Sequence, residues 1–165
     1  MKILRIFLAL MAISAGVANA QFTTAELQVS GLTCSMCSKA TEKTLRTLDF
    51  IGDIKPDLNH NIFMITFKKD VPVNFDKLSN KVQSAGFSVN NLKAVFNFGN
   101  VKLSHDMFNY SGYNFHLVNA GSKILNGPVA ITFVDKGFAP ASVSKKYKGQ
   151  KPAMGDGKKV YCVAI

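Results

Sequence analysis

The chain has no tryptophan, three cysteines, and ten acidic residues against twenty basic ones among 165. Each shortage removes a class of protein. An odd cysteine count leaves one thiol without a mate, so a disulfide framework does not account for them. Cys34 and Cys37 stand close together and Cys162 far away, which suggests a functional pair plus a bystander. Beyond residue 20 no apolar run reaches the roughly 17–25 residues of a membrane-spanning helix. No Ser/His/Asp triad, paired acidic site, phosphate loop or nucleotide fingerprint can be assembled, so no enzymatic activity is expected. Despite a formal charge of +10, no aromatic-basic RNA-binding motif or basic helix appears, and no nucleic-acid partner is expected. Internal repeats and low-complexity segments are also missing.

What is present begins with an address. Lys2 and Arg5 make a positive start, Ile6 to Ala18 is an uncharged apolar stretch, and Ala18-Asn19-Ala20 is a small-x-small cleavage signal. The expectation is a signal peptide over 1–20, cut after Ala20, and a periplasmic or secreted product without stable membrane insertion. Gln21 would follow the cut, so the new terminus offers no thiol for a lipid. The remaining 145 residues suit one ordinary domain or two small ones. Residues 21–98 carry nine Lys/Arg against seven Asp/Glu, and residues 99–165 nine against three. A basic second half would suit an acidic partner or an anionic surface; the plainer reading is solubility.

From Thr24 to about Phe98, strand-like and helix-like patterns alternate. Ala25 to Ser30 alternates with Leu27 and Val29 on one face. Ser35 to Leu48 fits a helix with Cys37, Ala40, Thr41, Thr44, Leu45 and Leu48 along one side and Ser35 as N-cap. Phe50 to Leu58 reads as a second strand with Ile51 and Ile54 inward, and Asn59-His60-Asn61 as a turn. Ile62 to Phe67 is a β-branched and aromatic third strand. Phe75 to Ala85 carries Phe75, Leu78 and Val82 at helical spacing, and Gly86 stops it. Phe87 to Phe98 completes βαββαβ, an α+β ferredoxin-like arrangement with both helices on one face of an antiparallel sheet. Residues 99–165 show only short β-like runs (Val101–Leu103, Tyr113–Val118, Val129–Val134, Val160–Ile165). They read as a small β-rich unit with no helical period, and Lys145–Lys159 as an exposed loop.

The chemistry concentrates in Gly31-Leu32-Thr33-Cys34-Ser35-Met36-Cys37, where the first strand hands over to the first helix. Cys34 falls on the loop and Cys37 in the first helical turn. Unsatisfied N–H groups there favour thiolates, the form that binds metal. Two soft sulfurs suit Cu(I), with Hg(II) or another thiophilic ion as alternatives. Zn(II) wants about four ligands, and two obvious ones are nearby. A redox dithiol and a structural disulfide remain open for the same pair; the lack of tryptophan, and of proline between the cysteines, speaks against a thioredoxin-like protein.

These residues resemble the heavy-metal-associated domain family, whose signature is a Gly-Met-Thr-Cys-x-x-Cys loop in a βαββαβ fold. Gly31, Thr33, Cys34 and Cys37 agree with it, as do Asp57-Leu58 and Ala85-Gly86-Phe87, and the similarity runs from about Thr24 to Phe98. The resemblance implies that Cys34 and Cys37 bind Cu(I) or a similar ion and exchange it with a donor or acceptor protein. It also implies that Leu32 packs under the loop and that Phe87 shields the ion without adding charge. An exported member resembles periplasmic mercury-binding proteins in layout, although Ser38 stands where those have proline. An exposed thiol loop could also share one ion between two chains, as a metal-bridged dimer. In an oxidising compartment the two thiols are open to disulfide formation.

Other candidates are weaker. Met36 lies between the cysteines and is expected to face solvent. His105 and Met107 have strand spacing for a common direction and are candidates for a second copper site, with a surface loop the plainer reading. His60 is expected in a solvated turn, His116 as a satisfied strand histidine, and Cys162 as a small buried hydrophobe.

Overall fold

The computed structural model describes residues 21–99, 103–119, 125–150, 152 and 159–165. The leader expected over 1–20, most of the Val101–Leu103 run and the end of the Lys145–Lys159 segment lie outside the described residues.

The first part of the chain forms β1 (Gln21–Ser30), α1 (Ser35–Leu45), β2 (Ile51–Asp57), β3 (Ile62–Phe67), α2 (Phe75–Ser84) and β4 (Ser88–Asn97). This is the expected βαββαβ order. Alternation decides the strands: Phe63, Ile65 and Phe67 of β3 are buried while Met64 and Thr66 face water. In α2, Phe75, Leu78, Ser79 and Val82 make the buried stripe. Asn74 caps it, its side chain accepting from the Lys77 N–H at 2.9 Å. At the other end Gly86 takes φ +87, and the Phe87 N–H returns to the Val82 carbonyl at 3.2 Å.

Helix α1 departs from expectation in three details. It ends at Leu45, not Leu48. Its N-cap is Cys34, not Ser35. Its buried residues are Ser38, Thr41 and Leu45, with Ala40 turned outward and Cys37 half-buried. Thr41 is tolerated inside because its hydroxyl donates to the Cys37 carbonyl at 3.0 Å, closing the polar group within the helix.

The second part adds β5 (Met107–Tyr110), β6 (Tyr113–Leu117), β7 (Pro128–Phe133), α3 (Ala141–Tyr147), a 3-10 turn (Lys148–Gln150) and β8 (Val160–Ala164). Strand β5 and helix α3 were not expected. The first pairs with β6 around Ser111-Gly112, both at positive φ, a two-residue hairpin turn. Helix α3 is seven residues long and buries none of them, so it carries no apolar stripe to reveal it. It takes the start of the stretch expected as a loop.

Among the described residues, the strands join one eight-stranded sheet in the order β2-β3-β1-β4-β7-β8-β6-β5. Neighbours are antiparallel except β6 and β8. The join across residue 99 is the β4–β7 ladder, from Lys93 opposite Thr132 to Asn97 opposite Pro128. It covers the β4 edge that a four-stranded sheet would leave open. On the helix-covered face the core is continuous: Phe75 lies 4.6 Å from Phe22 of β1 and 4.5 Å from Phe133 of β7, ring centre to ring centre.

A polar clasp fastens the two parts. The Tyr161 hydroxyl donates to Asp76 Oδ2 at 2.9 Å, Lys159 pairs with Asp76 Oδ1, and Asn74 donates to the Tyr113 hydroxyl at 2.9 Å. All of these partners meet the first residues of α2.

Candidate metal centre

Strand β1 ends at Ser30, and the chain turns at Gly31 with φ +92. That conformation disfavours any side chain, and a Cβ there would sit 3.4 Å from Phe87 Cδ1. Leu32 is buried and anchors the loop from below. Thr33 and Cys34 stand exposed above it. Cys34 is extended, with φ −140 and ψ 151, and begins α1 as its cap.

The cap places both sulfurs at the head of the helix. The Cys37 N–H donates to Cys34 Sγ at 3.1 Å, the role an oxygen plays in an ordinary N-cap. The two Cα atoms are 5.3 Å apart and the sulfurs are joined in a disulfide. In the reduced pair, charge on sulfur would face the open N–H groups of the first turn, and α1 has no acidic residue in that turn to oppose it. Cys37 and Phe87, both half-buried, pack against the core, so one side of the site is apolar. Met36 is 70% exposed and points away from that protection.

Among the described residues no group of three or more His, Cys, Asp or Glu could hold a metal ion. The loop therefore presents two sulfurs without further strong donors. That set fits a soft ion of low coordination number and falls short of a closed tetrahedral zinc site.

Residues 26–88 match the family model of the heavy-metal-associated domain. This stretch is similar to heavy-metal-associated domains. It holds β1 from Glu26 onward, the cysteine loop, both long helices and the start of β4. Among solved structures, the yeast copper transporter domain CCC2A, in its apo and Cu(I)-loaded states, is 25% identical. The match covers 41% of this chain and 90% of that one, with a TM-score of 0.36. A CopZ metallochaperone is 19% identical over 41% of this chain and 98% of its own, with a TM-score of 0.38. Oxidized MerP from Ralstonia metallidurans CH34 is 23% identical over 43% and 97%, with a TM-score of 0.36. No curated protein matches the chain.

The remaining candidate residues lie elsewhere. His105 and Met107 do not point together along a strand, so that pairing is corrected. His105 and Asp106, at φ +50 and +59, form the centre of a tight turn. Ser104 and Met107 exchange both backbone hydrogen bonds across it at 3.0 Å. His60 is exposed at its turn, its Nδ1 2.8 Å from Asp57 Oδ2. That hydrogen bond holds the Asp57 carboxyl below the usual carboxylate range. Cys162 is buried in β8, and its backbone N–H donates to Asp135 Oδ2 at 2.6 Å. His116 is not the satisfied histidine expected: its Nδ1 is buried without a hydrogen-bond partner.

Proposed function

We propose that the protein is an exported, non-enzymatic metal carrier that holds one Cu(I) between reduced Cys34 and Cys37 and passes it to a partner protein. The observation that carries this reading is the pair of sulfurs at the head of α1, one of them the helix cap, inside a stretch similar to heavy-metal-associated domains. Reduction of the disulfide frees two thiols, and metal binding displaces their protons. Cys34 is exposed, so an incoming thiolate can approach the ion from the solvent side and exchange ligands with it. Phe87 and Leu32 make the inner wall and add no charge. Hg(II) and Zn(II) are the alternative cargoes, the latter needing ligands from a partner or a second chain. A second chain meeting this loop would give a metal-bridged dimer. The apolar, cleavable-looking start over 1–20 supports an extracytoplasmic location.

The test is an anaerobic Cu(I) titration of the reduced protein against a chromogenic chelator. A Cu(I) capacity that falls by one equivalent in Cys34→Ser supports the carrier. If Cys34→Ser binds as much Cu(I) as the unsubstituted protein, the loop is not the site.

A second reading rests on the disulfide itself: the pair would cycle between dithiol and disulfide as a redox centre. Reduction of insulin at a rate that survives chelation of all metal would favour it over the carrier.

A further inference from the structure

Strand register brings together three soft donors that lie far apart in sequence. Met107 of β5 is directly opposite His116 of β6. His116 is in turn directly beside Cys162 of β8 in the parallel ladder. Residues paired in this way project from the same face of a sheet. The neighbouring row shows that the register holds at the level of side chains. Phe108, Phe115 and Tyr161 stack one on the next, with ring centres 4.9 and 5.2 Å apart, on the face that α2 covers. Met107, His116 and Cys162 each lie one position away from that row and therefore occupy the opposite face.

Two unsatisfied polar atoms mark the same place. Among the described residues, the buried side-chain nitrogen and oxygen atoms without a partner are Asn114 Nδ2 and His116 Nδ1. They are two residues apart on β6 and so share that face. Asn114 is 7% exposed, and its Oδ1 accepts from Asn109 Nδ2 at 2.9 Å, leaving the amide nitrogen unused. Native proteins rarely leave such groups without a partner, because a buried polar atom without a hydrogen bond is costly. A ligand on His116 Nδ1 removes that cost for the imidazole.

We propose that Met107, His116 and Cys162 form a second soft-metal site, with a thioether, an imidazole nitrogen and a thiolate as donors for Cu(I) or Ag(I). The donor types suit a soft monovalent ion and exclude Mg(II) or Ca(II), which require oxygen. Binding releases the Cys162 proton to solvent and leaves the oxidation state of the metal unchanged. The site stands apart from the Cys34–Cys37 loop. It lies on the other face of the sheet, four strand spacings from β1, or about 19 Å at the usual inter-strand distance. One ion cannot serve both, so the protein carries two.

The experiment is the same anaerobic Cu(I) competition on the reduced Cys34→Ser/Cys37→Ser protein, its fold checked by circular dichroism. One equivalent is expected to remain, and to be lost on adding His116→Gln or Cys162→Ser. A second measurement needs no substitution at the site. Ag(I) added to this ¹⁵N-labelled protein should shift the Nδ1 resonance of His116 and leave His60 and His105 in place. A folded Cys34→Ser/Cys37→Ser protein that binds no Cu(I), or a His116 resonance unmoved by Ag(I), overturns the proposal. If that double substitution removes no Cu(I) at all, the carrier reading of the loop fails while this site stands.

Discussion

The two ends of the sheet use the same backbone to different ends. In β3, β1 and β4, buried and outward residues alternate, and the face away from the helices shows Met64 and Lys93 to water. In β8, Val160, Tyr161, Cys162 and Val163 are buried in succession, so that strand is covered on both faces. One end is a conventional two-layer arrangement that exposes Cys34 on a loop and leaves Cys37 half-buried in the first helical turn. The other end buries a cysteine, and the Nδ1 of a half-buried histidine, inside the sheet's own row of side chains.

The sharpest way to break this comparison is to ask whether the two ends unfold separately. Phe75 is 1% exposed and touches rings from both parts. Phe75→Ala should cost about 3–5 kcal/mol. All four tyrosines lie at 110, 113, 147 and 161, so tyrosine emission reports on the second part. Far-UV dichroism is dominated by α1 and α2 of the first. In urea the two signals should move together, in the unsubstituted protein and in the variant. Separate midpoints would show two independent units.

A smaller effect is expected at the clasp. Tyr161→Phe removes a hydrogen bond to a carboxylate and should cost about 1.5–3 kcal/mol. Burial and the neighbouring Asp76 push the Tyr161 hydroxyl well above the ordinary tyrosine range. The unfolded chain ionises this group first, so its contribution is complete below about pH 10 and declines as pH rises above that. Urea midpoints measured from pH 8 to 11 should therefore fall, and fall less in Tyr161→Phe.

At the cysteine loop, Gly31→Ala forces a side chain into positive φ and should cost about 1–2 kcal/mol. Gly86→Ala has the same backbone problem with open space around it, so its cost should be the lower of the two. Equal losses would mean that the Phe87 contact contributes nothing. The smallest change concerns Asp57, whose depressed pKa follows from its hydrogen bond with His60. Its stabilising effect is present above the ordinary carboxylate pKa and is lost as pH falls through the depressed one. In His60→Ala the Asp57 carboxyl should titrate higher, read from its side-chain ¹³C shift.

Much of the first part was legible from local pattern. Strand β3 falls on Ile62–Phe67 as its alternation indicates, and Gly86 closes α2 at a positive φ. The cap of α1 was misplaced by one residue, because Ser35 is the commoner capping type while the sulfur of Cys34 fills that role. In the second part β5 went unread, although Ser111-Gly112 between tyrosines was the available signal for a hairpin. Helix α3 gave no signal, since it has no buried face.

The chain by itself determined the βαββαβ order and the position of the two close cysteines at a strand-to-helix junction. Both depend on interactions within a few residues: periodicity, capping and a glycine turn. Only the tertiary structure decided that β7 joins β4, that Tyr161 reaches Asp76, and that Met107, His116 and Cys162 share a row. Those are matters of strand register between distant segments, where a slip of one residue would turn each side chain to the other face.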